Sequence, residues 1–286
     1  VNGAELTIVF SEVADQVPGF INWGSSGGMA AARVAFKALT SPHREVNEGS
    51  FRALRVILPP GKLLSARRPA PISGWSLSLP TVLDTIFHAL APALPGSIPA
   101  AHKGDMGGYA IFGANPKTGR RYVCQNIIGG GWGGRPFEDG AAASVSMCQG
   151  DVKNTPIELQ ELYYPLMYEC HALRPDSGGA GKFRGGIGLE VKVTPLQDFY
   201  LSRNTDRIKC PPWGLLGGAQ GAVNETIIRR NGSTEKLPGK FSHFLVHRGE
   251  TVTFLTAGGG GYGDPREREE QSIQRDVELG YVSKEQ

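Results

Sequence analysis

The chain has 286 residues, 40 of them glycine, and a formal net charge of +3. That length can bury a core as one large domain or two; the mild charge gives nucleic acid no footing, and no apolar run approaches the ~20 residues of a membrane-spanning helix. Glycine at about twice its usual share implies many tight turns and close backbone approaches, hence a β-rich body. Cys124, Cys148, Cys170 and Cys210 form no Cys-x-x-Cys pair. That spacing argues against a zinc ribbon or redox motif and for four buried or half-buried reduced thiols in a cytoplasmic protein. The ends read as those of a fragment or half of a split subunit. Residue 1 is Val, and Ser283–Gln286 resembles the capped first turn of a helix that does not follow.

Glu5–Phe10 alternates around Leu6, Ile8 and Phe10, as a half-buried strand does. Gly24–Gly28 leads into a helix predicted from about Met29 to Leu39, with Met29, Ala32, Phe36 and Leu39 on one face and Arg33 and Lys37 on the other. Strand, glycine turn and helix are the setting of a nucleophile elbow with Ser26 at its centre; a plain glycine connection and an anion-binding helix start are the alternatives. Phe51–Leu58 predicts a strand ending at Pro59-Pro60-Gly61. A second helix spans roughly Pro80–Leu90, with Pro80 in its first turn and His88 off the apolar stripe. The linker Ala91–Ala101 suggests a boundary between a mixed α/β part, 1–95, and a β-rich part, 96–286. The fold class expected is α+β, with short, mainly antiparallel strands and long glycine-rich loops.

Ala101–Gly108 puts His102, Lys103 and Asp105 on what reads as a flexible loop, where His102 and Asp105 are candidates for a metal or a substrate carbonyl. One histidine and one aspartate fall short of the three protein ligands usual at a catalytic metal. Tyr109–Phe112 and Arg121–Ile128 predict a hairpin that runs into Gly129–Pro136, where Trp132 and Arg135 are candidates for a cleft wall or a subunit contact. That stretch and Gly258–Gly263 match Gly-x-Gly-x-x-Gly in form only, since neither opens a βαβ unit. Ser144–Gln149 reads as a short strand and Thr155–Leu162 as a short helix bearing Glu158 and Glu161. Leu166–Leu173 alternates into Arg174–Gly188, whose glycine density suits an irregular loop presenting backbone NH groups, Lys182 and Arg184. It is no Walker A loop, because Asp176 stands where the first glycine belongs and Phe183 follows Lys182. Leu189–Val193, Phe199–Ser202, Glu225–Arg230 and Thr251–Leu255 continue the β pattern. Arg203 and Asp206 fall between strands, as a turn ion pair or as holders of a carboxylate or phosphate. Asp264-Pro265-x-Glu267 predicts the cap of a last helix reaching Leu279.

Gly129–Pro136, Arg174–Gly188, Cys210–Gly218 and Gly258–Pro265, together with Asn47–Arg52 and Asn154–Pro156, resemble the hydantoinase B/5-oxoprolinase family, whose order they keep. The resemblance spans the chain but only about the C-terminal half of a family member. It implies a hetero-oligomeric enzyme in which an A-type subunit, holding ATP with Mg, phosphorylates a small-molecule substrate. The B-type subunit then opens a cyclic amide of the hydantoin or 5-oxoproline kind, or in related enzymes carboxylates a ketone of the acetone or acetophenone kind. It also implies a divalent metal, Zn or Mn, in the N-terminal half of the family fold, so no metal ligand carries over to this chain. A noncatalytic assembly module is the alternative.

Overall fold

The computed structural model describes residues 3–149 and 152–284, apart from the side chains of 75–77. The expected cap partner of Ser283, Gln286, lies outside the described residues. The chain divides into two compact units, Val1–Ile98 and Pro99–Gln286.

In the first unit, β1 (Leu6–Val9) and β2 (Leu54–Ile57) pair in parallel, beside α1 (Ser25–Thr40) and α2 (Trp75–Leu90). The first helix starts four residues earlier than its apolar spacing suggested, so Ser26 sits inside its first turn. Ile21 and Asn22 make only isolated bridges to Ile72, so no strand feeds a nucleophile elbow here. Gly28 is required for packing, since a Cβ there would lie 2.7 Å from the Leu64 carbonyl oxygen. Lys37 is buried rather than on a polar face, because its ammonium folds back to the Ser41 carbonyl at 2.5 Å and the Ser41 hydroxyl at 3.1 Å. Pro80 lies inside α2 rather than in its first turn, at the loss of one helical hydrogen bond. A buried Asn22 ties the preceding loop together, donating to the carbonyls of Val17, Gly19 and Pro71 and accepting from the Val17 amide.

The second unit holds two antiparallel sheets. One orders its strands β10 (Lys240–Val246), β7 (Phe199–Asn204), β3 (Tyr109–Ala114), β4 (Arg121–Asn126). The other runs β5 (Leu166–Arg174), β6 (Gly188–Pro195), β11 (Thr251–Leu255), β8 (Glu225–Arg230), β9 (Ser233–Lys236). Alternate residues of both sheets, among them Ile111, Leu201, Val191, Val193, Ile228 and Phe254, form one buried cluster. Tyr109 stacks on Phe254 across it, ring centroids 4.4 Å apart. The α+β class and the antiparallel body follow the sequence reading. Ser144–Gln149 does not form the expected strand: the Val145 carbonyl is taken by the Trp132 indole NH at 2.6 Å, and the chain turns at Ser146. α3 (Ile157–Tyr163) carries Glu158 and Glu161 on a solvated face. The last helix is broken. Pro265–Glu267 forms one 3₁₀ turn, Arg268 and Glu269 are extended, and α4 (Glu270–Glu278) follows.

The glycine segments are not loose. Their amides and carbonyls bond one another across segments: Gly131 to Ala257, Gly186 to Trp132, Gly259 to Gly186, Gly260 to Ala101 and Ala101 to Trp213, at 2.7–3.0 Å. A Cβ at Gly131 would stand 1.9 Å from the Gly186 oxygen, and one at Gly259 1.9 Å from the Trp132 oxygen. Extended backbones meet here without side chains between them, the logic by which collagen admits only glycine at its axis.

Candidate functional site

That glycine weave places the segment 101–107 inside the second unit. The Lys103 amide donates to Gly131 at 2.9 Å and the Gly134 carbonyl accepts from Ala100 at 2.9 Å. The expected flexible loop is therefore a buried one, with His102 at 5 %, Lys103 at 1 % and Asp105 at 0 % exposure. Polar residues at this density read as surface in sequence, but the neighbouring glycines let other backbones cover them.

The six candidate residues fall into two groups that share this segment. His102, Trp132 and Arg135 stand in a row. The imidazole lies 5.3 Å from the Trp132 ring, the Arg135 guanidinium lies 5.9 Å from it on the cation–π side, and Arg135 pairs with Glu138 at 2.6 Å. Trp132 and Arg135 are half-buried, so this row reaches the surface. A cavity of about 330 Å³ adjoins it through Glu138, with Asp139, Lys182, Phe183, Arg268 and Ser272 also in its lining.

Asp105, Arg203 and Asp206 form the second group. One Asp105 oxygen accepts from the Gly107 amide; the other accepts from the Thr205 hydroxyl at 2.6 Å and from the Asp206 amide. Arg203, opposite Tyr109 in the β3–β7 register, donates to the Glu225 carbonyl at 2.8 Å and to the Thr226 hydroxyl, and lies 5.0 Å from the Phe254 ring. Its Nε and Nη2 have no hydrogen-bond partner among the described residues. Asp206 pairs with Lys240 at 3.0 Å, and Asn224 clamps the Asp206 carbonyl.

Electrostatics follow burial. Removal from water pushes the Lys103 ammonium down to about 8, against the opposing pull of Asp105. The Asp105 carboxyl is raised by burial, with Lys103 working the other way. Burial lowers Arg203 to about 10. Lys103, in sequence one more cation on a loop, is the titratable centre of the group, and its ammonium donates to the Ile128 carbonyl at 3.1 Å. Nothing in the local pattern marks it, since its burial depends on segments far along the chain.

Two further polar constructions escape sequence reasoning for the same reason. The Gln160 side-chain oxygen accepts from Asn126 at 2.6 Å and from the Tyr168 hydroxyl at 2.7 Å, next to Tyr109. In the glycine loop, Arg184 is buried against Asp276 of α4 at 3.2 Å, while Arg268 bridges Asp139 at 2.8 Å and Asp276 at 2.7 Å. The loop's NH groups are spent internally: Arg184 NH on Asp139, Gly185 NH on Gly179 and Gly188 NH on Ser177. Lys182 points outward instead, to Glu267 at 3.2 Å. Cys210 is exposed rather than buried or half-buried. Among the described residues no three His, Cys, Asp or Glu side chains are placed to hold a metal, and no helix is long and apolar enough to cross a membrane.

The hydantoinase B/oxoprolinase family profile matches residues 1–265. An uncharacterized protein of Methanocaldococcus jannaschii is 36 % identical over 89 % of this chain and 44 % of its own length. The B-type subunit of a putative D-/L-hydantoinase from a Pseudomonas species is 34 % identical over 84 % of this chain and 40 % of its own. The crystal structure of the ATP-dependent caprolactamase from Pseudomonas jessenii superposes with a TM-score of 0.86 at 27 % identity, covering 98 % of this chain and 50 % of that one. The chain thus spans about half the length of these three relatives.

Proposed function

Because this chain belongs to the hydantoinase B/oxoprolinase family, we propose that it forms part of the B-type subunit of an ATP-dependent amidohydrolase that opens a cyclic amide. The observation that carries this reading is the profile match along 1–265, joined to the likeness to a putative hydantoinase of the same type and to an ATP-dependent caprolactamase. An unstrained amide is a poor electrophile. Phosphorylation of its oxygen by an ATP-binding A-type partner supplies the driving force. Water adds to the activated carbon, the ring C–N bond breaks with a proton passing to nitrogen, and a second water releases the phosphoryl group as inorganic phosphate. Fixed dipoles stabilise the charge that develops.

Within that division of labour, His102, Trp132 and Arg135 wall the substrate cleft or the contact with a neighbouring subunit. Asp105, bonded to Thr205 and Asp206, and the neighbouring Arg203 hold the segment as positioning residues. Arginine's planar fork suits a carboxylate or a phosphoryl group, and Arg135 reaches the surface to offer it. A divalent metal does not fit these residues. Both Asp105 oxygens are committed to Gly107, Thr205 and Asp206; the metal that the family resemblance implies is assigned, as part of this proposal, to the complementary half of the family fold and takes no step at these side chains.

The test is Arg135→Ala in the complex reconstituted with the A-type subunit and the complementary half. Loss of at least about ten-fold in turnover with assembly intact supports a cleft role; full turnover makes the chain a noncatalytic scaffold. Product analysis on hydantoins and on ketones with bicarbonate separates amide opening from carboxylation.

A further inference from the structure

The first unit contains a two-stranded parallel sheet. β1 and β2 run parallel in register from Leu6 with Leu54 to Val9 with Ile57. Parallel sheets occur almost only as larger sheets covered on both faces, and two strands alone are marginal in water. The Leu6 amide donates to Ala53 and the Phe10 amide to Ile57, both at 2.9 Å, so these residues turn their backbone groups toward β2. By the alternation of a strand, Thr7 and Val9 turn theirs to the opposite edge. Among the described residues no strand pairs with that edge.

Beside the edge lies an apolar groove of about 510 Å³, lined by Leu6, Ile8 and Phe10 of the β1 segment and by Val82, Ile86 and Ala89 of α2. Thr7 and Val9 also border the groove, and Val9 is 57 % exposed. A small apolar ligand would fill the groove yet leave the backbone edge bare. A strand added to β1 pairs the edge and covers the groove together, as in β-augmentation. The occupant is indicated by length: the chain spans 44 % of the M. jannaschii relative and 50 % of the caprolactamase chain, so each of these carries as much chain again. We propose that the free edge of β1 and the groove between β1 and α2 receive a β-strand from the complementary half of the family fold. Its inward side chains pack on Val82 and Ile86. This rests on reading the chain as part of a B-type subunit.

The probe is the portion of the P. jessenii caprolactamase chain outside the matched half, mixed with this chain at full length. Native mass spectrometry is expected to give a one-to-one complex, and amide exchange at Thr7 and Val9 is expected to slow at least about ten-fold. Val9→Lys, at an exposed position, should fold with an unchanged circular dichroism spectrum yet bind at least about ten-fold more weakly. Absence of a complex, a complex that leaves Thr7 and Val9 unprotected, or undiminished binding by Val9→Lys would each overturn the proposal. Protection of β1 in a dimer of this chain alone would overturn it in favour of a second copy. Failure of the activity reading is separate, because protection at β1 without any ATP-dependent turnover leaves the strand in place and removes the amidohydrolase.

Discussion

Lys103 is the residue whose chemistry departs furthest from its sequence context. Unfolded, it titrates near 10.5; folded, burial brings it to about 8. The native state therefore favours the neutral amine, a contribution complete above pH 10.5 and lost as the pH falls through 8. At about 1.4 kcal/mol per unit the whole effect is on the order of 3 kcal/mol. Urea midpoints for the wild type should accordingly rise between pH 8 and pH 10 more than those for Lys103→Met; equal slopes would refute the depressed amine. Asp105 shifts the opposite way, so its contribution is present at low pH and lost as the pH rises through its raised folded value. Asp105→Ala leaves the buried donors of Gly107, Thr205 and Asp206 without their acceptor and is expected to cost about 1–3 kcal/mol, read as a lowered urea midpoint at pH 7. A surface position would cost a few tenths.

At the scale of elements, the glycine weave and the ionic latch on α4 carry the arrangement. Gly259→Ala would drive a Cβ into the Trp132 oxygen. It should cost about 3 kcal/mol or more, or prevent folding, whereas Gly96→Ala meets nothing within 4 Å and should change stability by less than about 0.5 kcal/mol. Arg268 leaves the helical path to bridge Asp139 and Asp276, which is why a helix legible from Asp264 onward breaks in two. Burial would raise Asp139, but the Arg268 hydrogen bonds and charge, with Arg184 behind them, hold it below the ordinary carboxylate range. The latch is thus whole above the usual Asp value and weakens as the pH falls through the depressed one. Arg268→Ala should release α4, seen at pH 7 as faster hydrogen exchange over residues 270–278 with the sheets unaffected. Period-2 and period-3.6 patterns made β8, the β3–β4 hairpin and the body of α1 readable. β10 was hidden by its bulge between Phe241 and Phe244, with His243 at φ 56°, and β9 by having all four residues exposed. The buried site segment was hidden because its cover comes from glycines far onward in the chain, from Gly131 to Gly260.

For the molecule as a whole, family and fold class were legible because glycine blocks needed for backbone contact cannot drift in sequence without breaking the weave. The grouping of His102 with Trp132 and Arg135, apart from Asp105 with Arg203 and Asp206, was not legible, since it depends on how four distant segments cross. That grouping sets a half-exposed aromatic and guanidinium apart from a largely buried charged group, within a chain that covers 44 % of the M. jannaschii relative and 50 % of the caprolactamase chain. Under the proposed function this body works only within a larger, ATP-consuming assembly. The most direct measurement is ADP release and ring opening on a hydantoin by the chain alone, by the A-type subunit with the complementary half, and by all three together. Coupled ADP release and ring opening in the complete mixture, absent from either partial one, is the expected result. Ring opening by the chain alone without ATP, or full turnover in its absence, would contradict it.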